Sequence, residues 1–354
     1  MERRIGDRQL VNIVVLFLIV QFGGLLLTYA SLPTYAIQPA MSISGNGASF
    51  TIYNVFIIIL EIIIITFVLL YVFKKFRSNA LFVLLDAFII VPGSTITFSI
   101  VLGILLPTLP AIPELIASFA LAVLLMLVKQ KFQRLRNIVV LLSAMGIGVL
   151  FGIIGGFYFV YLFISVLALY DYVSVFITKH MISLANMAMQ KNLALFVGSS
   201  DIHMVPNRMV SRKDRKAAAK SGLANNIKDE HVRDLIRSGN TPFVSQINLG
   251  GGDLLAPLML ATGAYVTFLN YFVPVIIVIG STTGMLATLF ILTKYKVALP
   301  AIPPIFAFEN LAIAVIYLIY MPQAPITALA FFGLFAAILL VMLYTLNRNR
   351  DAGR

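Results

Sequence analysis

FYFVYLFISVLALYDYVSVFITK, residues 157–179, is an apolar run of membrane-spanning length with one carboxylate, Asp171, inside it. A helix needs roughly 20 predominantly apolar residues to cross the hydrocarbon, and an acid held there is costly enough to imply a task. Asp171 lies eight residues before Lys179, the first charge past the segment. A second apolar segment opens with Gly250-Gly251-Gly252-Asp253, and Asp253 lies seven residues beyond Gln246, where a polar stretch ends. At a rise of roughly 1.5 Å per residue, both carboxyls are predicted on the order of 10 Å inside the membrane, measured from the same face. Two acids at one depth point to chemistry.

The remainder of the chain fits a membrane setting. Of 354 residues, 60% are hydrophobic and 11% charged, and long apolar runs alternate with short polar breaks. Such a composition describes an all-α, polytopic integral membrane protein. Apolar runs predict ten helices, near 10–30, 51–73, 80–106, 111–128, 137–154, 157–178, 247–269, 271–293, 300–320 and 326–346. The basic start followed directly by an apolar helix, with no small-residue cleavage site before Pro33, reads as an uncleaved first span.

Lys and Arg set the orientation, because short loops rich in them stay in the cytoplasm. They fall at Arg3, Arg4 and Arg8, at Lys74, Lys75 and Arg77, from Lys129 to Arg136, throughout 179–237, at Lys294 and Lys296, and from Arg348 to Arg354. With ten helices all lie on one side, while the opposite loops (31–50, 107–110, 155–156, 270 and 321–325) carry none. Both termini and the 179–246 segment are therefore predicted to be cytoplasmic, in a multi-pass protein of the cell membrane. The net charge of +12 follows these faces and builds no aromatic-interleaved basic groove, so no nucleic-acid partner is expected. Absence of Cys excludes disulfides, thiolate nucleophiles and Cys-based metal sites.

Four regions follow: an N-terminal membrane block at 1–189, a connector at 190–246, a C-terminal membrane block at 247–346 and a basic tail at 347–354. Lys179 to Met189 mixes polar and apolar residues at helical spacing, as in an interfacial continuation of the sixth helix. In the connector, 211–220 is a basic run and 228–237 has the spacing of a short helix, with Asp229 and Arg233 at i,i+4. The glycines at 146, 148, 152, 155 and 156, and from Gly280 to Gly284, offer small faces for close helix packing.

Further acids lie within or near the spans: Glu61, Asp86, Glu114 and Glu309. Glu114 belongs near the outer interface, and the other three have no matching Lys or Arg inside the membrane. Asp171 and Asp253 suit one reaction. Two carboxyls a few ångströms apart hold a single proton between them, since a second charge is unfavourable beside the first. The charged member deprotonates a water while the protonated one polarises a carbonyl, and the gem-diol that forms collapses with amide cleavage. Such chemistry requires no metal, cofactor or acyl-enzyme. The glycines at 250 to 252 let substrate backbone approach Asp253. Leu299-Pro300-Ala301-Ile302-Pro303-Pro304 opens the ninth span on the same side, and its prolines expose carbonyls to which an unwound substrate strand can pair.

Tyr170-Asp171, Gly250-Gly251-Gly252-Asp253 and Leu299-Pro300-Ala301-Ile302, in that order and topology, resemble the presenilin and signal peptide peptidase family of Gly-x-Gly-Asp intramembrane aspartyl proteases. The run from Tyr170 to Phe176, continuing through Thr178 to Met181, is most similar to the archaeal-type homologues. The resemblance covers roughly residues 1–320. It implies that Asp171 and Asp253 form the catalytic dyad, with Tyr170 and Gly250 to Gly252 in the active-site motifs. It also implies that Leu299 to Ile302 contact substrate and that the connector is a flexible or regulatory loop. Ile302 stands where the family has Leu, a swap that conserves volume. The family fold has nine spans, whereas 326–346 reads as a tenth.

The expected substrates are transmembrane helical proteins, peptides or remnant signal peptides within the bilayer, cleaved without an obligate partner subunit. The chief rival is a proton- or ion-coupled secondary transporter, which also uses intramembrane acids and broken helices. Related halves are not evident, and the dyad is predicted nearer the cytoplasmic face than the midplane. A zinc protease would need His-Glu-x-x-His, but His180, His203 and His231 are scattered. A serine mechanism centred on Ser281 has no intramembrane base, so Ser281 reads as a packing or backbone-bonding residue. A scaffold without activity would leave the two acids unexplained.

Overall fold

The computed structural model describes residues 7–31, 79–132, 135–178, 196–206, 240–295 and 299–352, with isolated positions at 57, 60, 64, 68 and 71. Most of the second predicted span, the interfacial helix at 179–189, the basic run at 211–220 and the short helix at 228–237 lie outside the described residues. Among the described residues eight α-helical stretches follow in order: α1 Asp7–Ser31, α2 Asn79–Leu105, α3 Ala111–Lys131, α4 Arg136–Tyr172, α5 Gly251–Phe268, α6 Phe272–Tyr295, α7 Ile302–Tyr320 and α8 Pro325–Ala352. Two strands, β1 Phe196–Pro206 and β2 Asn240–Gly250, pair with each other. By contacts the chain forms two units, Met1–Ile13 with Gly198–Asn248, and Val14–Val197 with Leu249–Arg354. The first contains most of the strand pair, and the second is the helical bundle.

The connector thus departs from the loop expected over 190–246, because its two ends are strands. Gln246, Ile247, Asn248 and Leu249 alternate polar and apolar, the period of a strand. For the same reason the seventh helix begins at Gly251 and not at 247.

The helix containing Asp171 is too long to cross a bilayer once. Arg136–Ile177 is a 42-residue helical stretch, which drawn out straight would be roughly 63 Å long at 1.5 Å per residue, against a hydrocarbon core of roughly 30 Å. The chain breaks at Gly156, where φ is 65° and ψ 180°, a backbone conformation closed to side chains with a Cβ. Neighbours along α5 give the direction of each arm. Gly148 lies against Leu258 and Gly152 against Met259 and Thr262, while Gly156 meets Gly263. On the return, the Phe157 N–H donates to Thr267 Oγ1 at 2.9 Å, and Ile164 comes down beside Ala256 and Pro257. The chain therefore climbs one side of α5, turns at Gly156 and descends again, which accounts for the two spans read at 137–154 and 157–178.

Other helices pack around this hairpin. α1 runs beside α5, with Gln21 Nε2 donating to the Leu254 carbonyl at 2.8 Å and Thr28 and Thr262 hydroxyls 3.1 Å apart. α2 meets the first arm of α4 through Thr97, which donates to the Leu142 carbonyl at 2.7 Å. α6 and α7 lie against each other so tightly that a Cβ on Gly284 would stand 2.6 Å from the Ile305 Cα. α8 covers α7 through Phe335 on Phe308 and Phe331 on Tyr317, with ring centroids 5.3 and 5.5 Å apart. The buried core joins Val160, Ile164 and Ala168 to Leu260, Ala261, Ala264, Ile277, Phe306 and Ile313. Large apolar side chains left outside, such as Phe88 and Ile326, are those that lipid would cover.

One acid differs from its reading. Asp86 has a basic partner after all: Lys129 and Asp86 form a buried ion pair across α2 and α3. The expected loop at 129–136 is shortened because α3 continues to Lys131, and that extra half-turn carries the Lys129 ammonium inward to the carboxylate. Glu114, in the first turn of α3, accepts from Ser99 Oγ at 2.7 Å.

Candidate active site

Asp171 and Asp253 come from the two elements that flank the connector. Asp171 sits at the end of α4, where the α-helix gives way to a π turn at Val173–Ile177. Such wide turns are rare and concentrate at functional sites. Ser174 within the turn donates to the Asp171 carbonyl at 2.9 Å, so the local backbone around the aspartate is tied down. Asp253 is the third residue of α5, and its Oδ2 accepts from the Gly250 N–H at 3.2 Å. A carboxylate at this position reaching back to the helix start is the acidic half of a capping box.

The two carboxyls face a common site. Asp171 is buried and Asp253 half-buried, and Ile302, which borders the same narrow space as Asp253, is the residue whose backbone bonds Asp171. Asp171 Oδ2 in turn accepts from the Ile302 N–H at 3.3 Å. That contact brings the Leu299 to Ile302 motif to the dyad through its backbone. Ala301 is the N-cap of α7 and Ile302 its first residue, so the N–H that Asp171 takes is one that the helix itself leaves without a partner. Pro303 and Pro304 follow at positions where a missing N–H costs the helix nothing. Leu299 is half-buried and Pro300, Ala301 and Ile302 are buried. Tyr170 is half-buried beside Asp171.

The glycines divide into two kinds. A Cβ on Gly250 would touch the Asp253 carboxylate at 3.0 Å, whereas one on Gly252 would meet nothing within 4 Å. Space is thus left open one residue from Asp253.

A third acid singled out in the sequence, with its role left open there, borders the same space as Asp253. Glu309 is buried in α7, and Ser281 Oγ of α6 lies 2.8 Å from its Oε1 and 2.9 Å from the Ile277 carbonyl. Ser281 is backbone-bonded as read, but it also touches a carboxyl. The available signal was spacing: Ile302, Ile305, Phe306 and Glu309 recur at i, i+3, i+4 and i+7, one face of a helix. That face and Asp253 border one narrow cavity with no room for a water molecule.

A membrane bundle that brings two aspartates from neighbouring helices into one buried site defines the class of intramembrane aspartyl proteases. The family model described as signal-peptide peptidase, presenilin aspartyl protease matches residues 14–308. The chain belongs to that family and is an intramembrane aspartic endopeptidase. Two solved structures of a presenilin family intramembrane aspartate protease, in P2 and C222 space groups, are similar to it at 21% and 20% identity. Each alignment covers 86% of this chain, with 95% and 96% of the other chain, at a TM-score of 0.50, and shows a shared fold. No curated protein sequence matches the chain.

Proposed function

We propose that Asp171 and Asp253 are the catalytic dyad of this protease. One ionised carboxylate takes a proton from a water as that water attacks the scissile carbonyl. The protonated partner donates to the carbonyl oxygen, giving a gem-diol, and then the proton returns to the leaving nitrogen as the amide breaks. The supporting observation is that these two acids, 82 positions apart in the chain, both lie beside Ile302 while one oxygen of each is held by a backbone N–H. A carboxyl oriented by a fixed donor loses no time in wrong rotamers when substrate and water arrive.

Leu299 to Ile302 then serve as the wall against which unwound substrate lies, and Gly252 as the gap that admits its backbone. A substrate helix hides its amides in internal hydrogen bonds and must open before attack. In our reading both termini and the connector face the cytoplasm, substrates have an outside N-terminus, and the enzyme acts without a partner subunit, in the cell membrane.

The test is cleavage of a reconstituted transmembrane peptide by the wild type, Asp171→Asn and Asp253→Asn, with thermal unfolding in detergent as the folding control. Asn preserves shape and cannot ionise, so each variant is expected to be folded and silent. Cleavage by either folded variant overturns the assignment. Proton or ion movement through a wild type that cleaves nothing would favour the transporter.

A further inference from the structure

We propose that Glu309 is a substrate-contacting residue of this protease, forming the polar end of a subsite that receives a neutral hydrogen-bonding side chain of the transmembrane substrate, such as Gln or Thr. The inference rests on the protease reading above and adds a specificity element to it.

Glu309 is 1% exposed, and among the described residues its Oε2 has no hydrogen-bond partner. A buried polar atom without a partner is costly, and native proteins rarely keep one without a use. Its other oxygen is occupied: Oε1 lies 2.8 Å from Ser281 Oγ. The carboxyl is therefore anchored to α6 by one oxygen, with the second left over. The cavity it lines is the one that Asp253 lines, and the remaining walls are apolar: Ile164, Ala256, Pro257, Ile302, Ile305 and Phe306. A largely apolar space with a buried polar group in addition to Asp253 matches a side chain with an apolar stem and a hydrogen-bonding tip.

Placement fits the same reading. Glu309 lies seven residues beyond Ile302 in α7, roughly 10 Å along the axis. Side chains on a helix lean toward its N-terminus, which brings the carboxyl back toward Ile302 and Asp171. The space is closed to water in this state, so it opens only as substrate enters between the helices. A donor arriving from a substrate side chain would satisfy an atom that nothing else among the described residues satisfies. An aliphatic side chain of equal volume would leave that atom unpaired.

The experiment uses reconstituted full-length protein and a transmembrane peptide series. Each position within four residues of the cleaved bond carries Gln or its near-isostere Met, and Thr or Val, with kcat/KM measured for each. For the wild type, one position is expected to favour the polar member by about tenfold, the worth of one well-made hydrogen bond. Glu309→Gln, which retains an acceptor, keeps that preference, and Glu309→Leu abolishes or reverses it. A purely structural role would lower all rates together and leave the ratio unchanged, which overturns the proposal. If Glu309→Leu does not fold, the wild-type series decides alone, since absence of any polar preference overturns it equally. Asp171→Asn separates the two readings. A silent Asp171→Asn with an unchanged ratio sinks only the subsite, whereas an active one sinks the protease assignment and the subsite with it.

Discussion

Replacing Lys129 with Met would leave Asp86 without its cation. The two residues are 6% and 4% exposed, so neither charge has water to fall back on. Removing one member of a buried ion pair costs about 3–5 kcal/mol, because the remaining charge stays desolvated. Asp86→Asn is the milder change. Asn at position 86 keeps a carbonyl oxygen within reach of the Lys129 ammonium, which limits the loss to about 2 kcal/mol. The double variant Asp86→Asn/Lys129→Met has no stranded charge, and replacing such pairs by neutral groups is often near neutral. It is expected to be no less stable than Asp86→Asn alone, which makes the coupling energy equal to the whole Lys129→Met loss, about 3 kcal/mol or more. Reversible unfolding in detergent micelles of the wild type, both single variants and the double variant gives that coupling directly. Losses that add to within about 0.5 kcal/mol would show that the two side chains do not interact and would refute the argument.

Gly156→Ala places a Cβ on a residue at φ 65° and is expected to cost about 1–2 kcal/mol, read as a lower thermal midpoint. Gly284→Leu forces a side chain against the Ile305 Cα and the Pro304 carbonyl, at 2.6 and 2.9 Å from the new Cβ. It should push away the start of α7, which carries the N–H held by Asp171, and slow cleavage by about tenfold or more; normal cleavage would show that this helix contact does not position the site. Ile302→Leu conserves volume and should cost less than about 1.5 kcal/mol with cleavage retained. Ile302→Ala, by contrast, opens a void and should cost about 2–4 kcal/mol in thermal or denaturant unfolding.

Much of the architecture was readable because the bilayer leaves few choices. Apolar length predicted the helices, and the break at 155–156 falls where Gly156 adopts its left-handed φ. The acids at 171 and 253 stood out for the same reason, since an ionisable group in an apolar run has no cheap explanation. The connector was misread at its ends because polar residues such as Ser199 and Ser200 mask the period of the strand they occupy. Lys129 was assigned to a loop because hydropathy ends a helix at its first charge, whereas the helix runs on when a carboxylate waits on its neighbour.

Local pattern therefore carried the membrane class and most of the described helices, each of which depends only on residues a few positions apart. Tertiary structure alone decided which acids meet. Asp171 with Ile302, Asp86 with Lys129, and Glu309 with Ser281 are all pairings across helices. Spacing within a helix assigns a residue to a face. Which helix that face meets is settled by close approach at small residues such as Gly263 and Gly284, and by how the whole bundle packs.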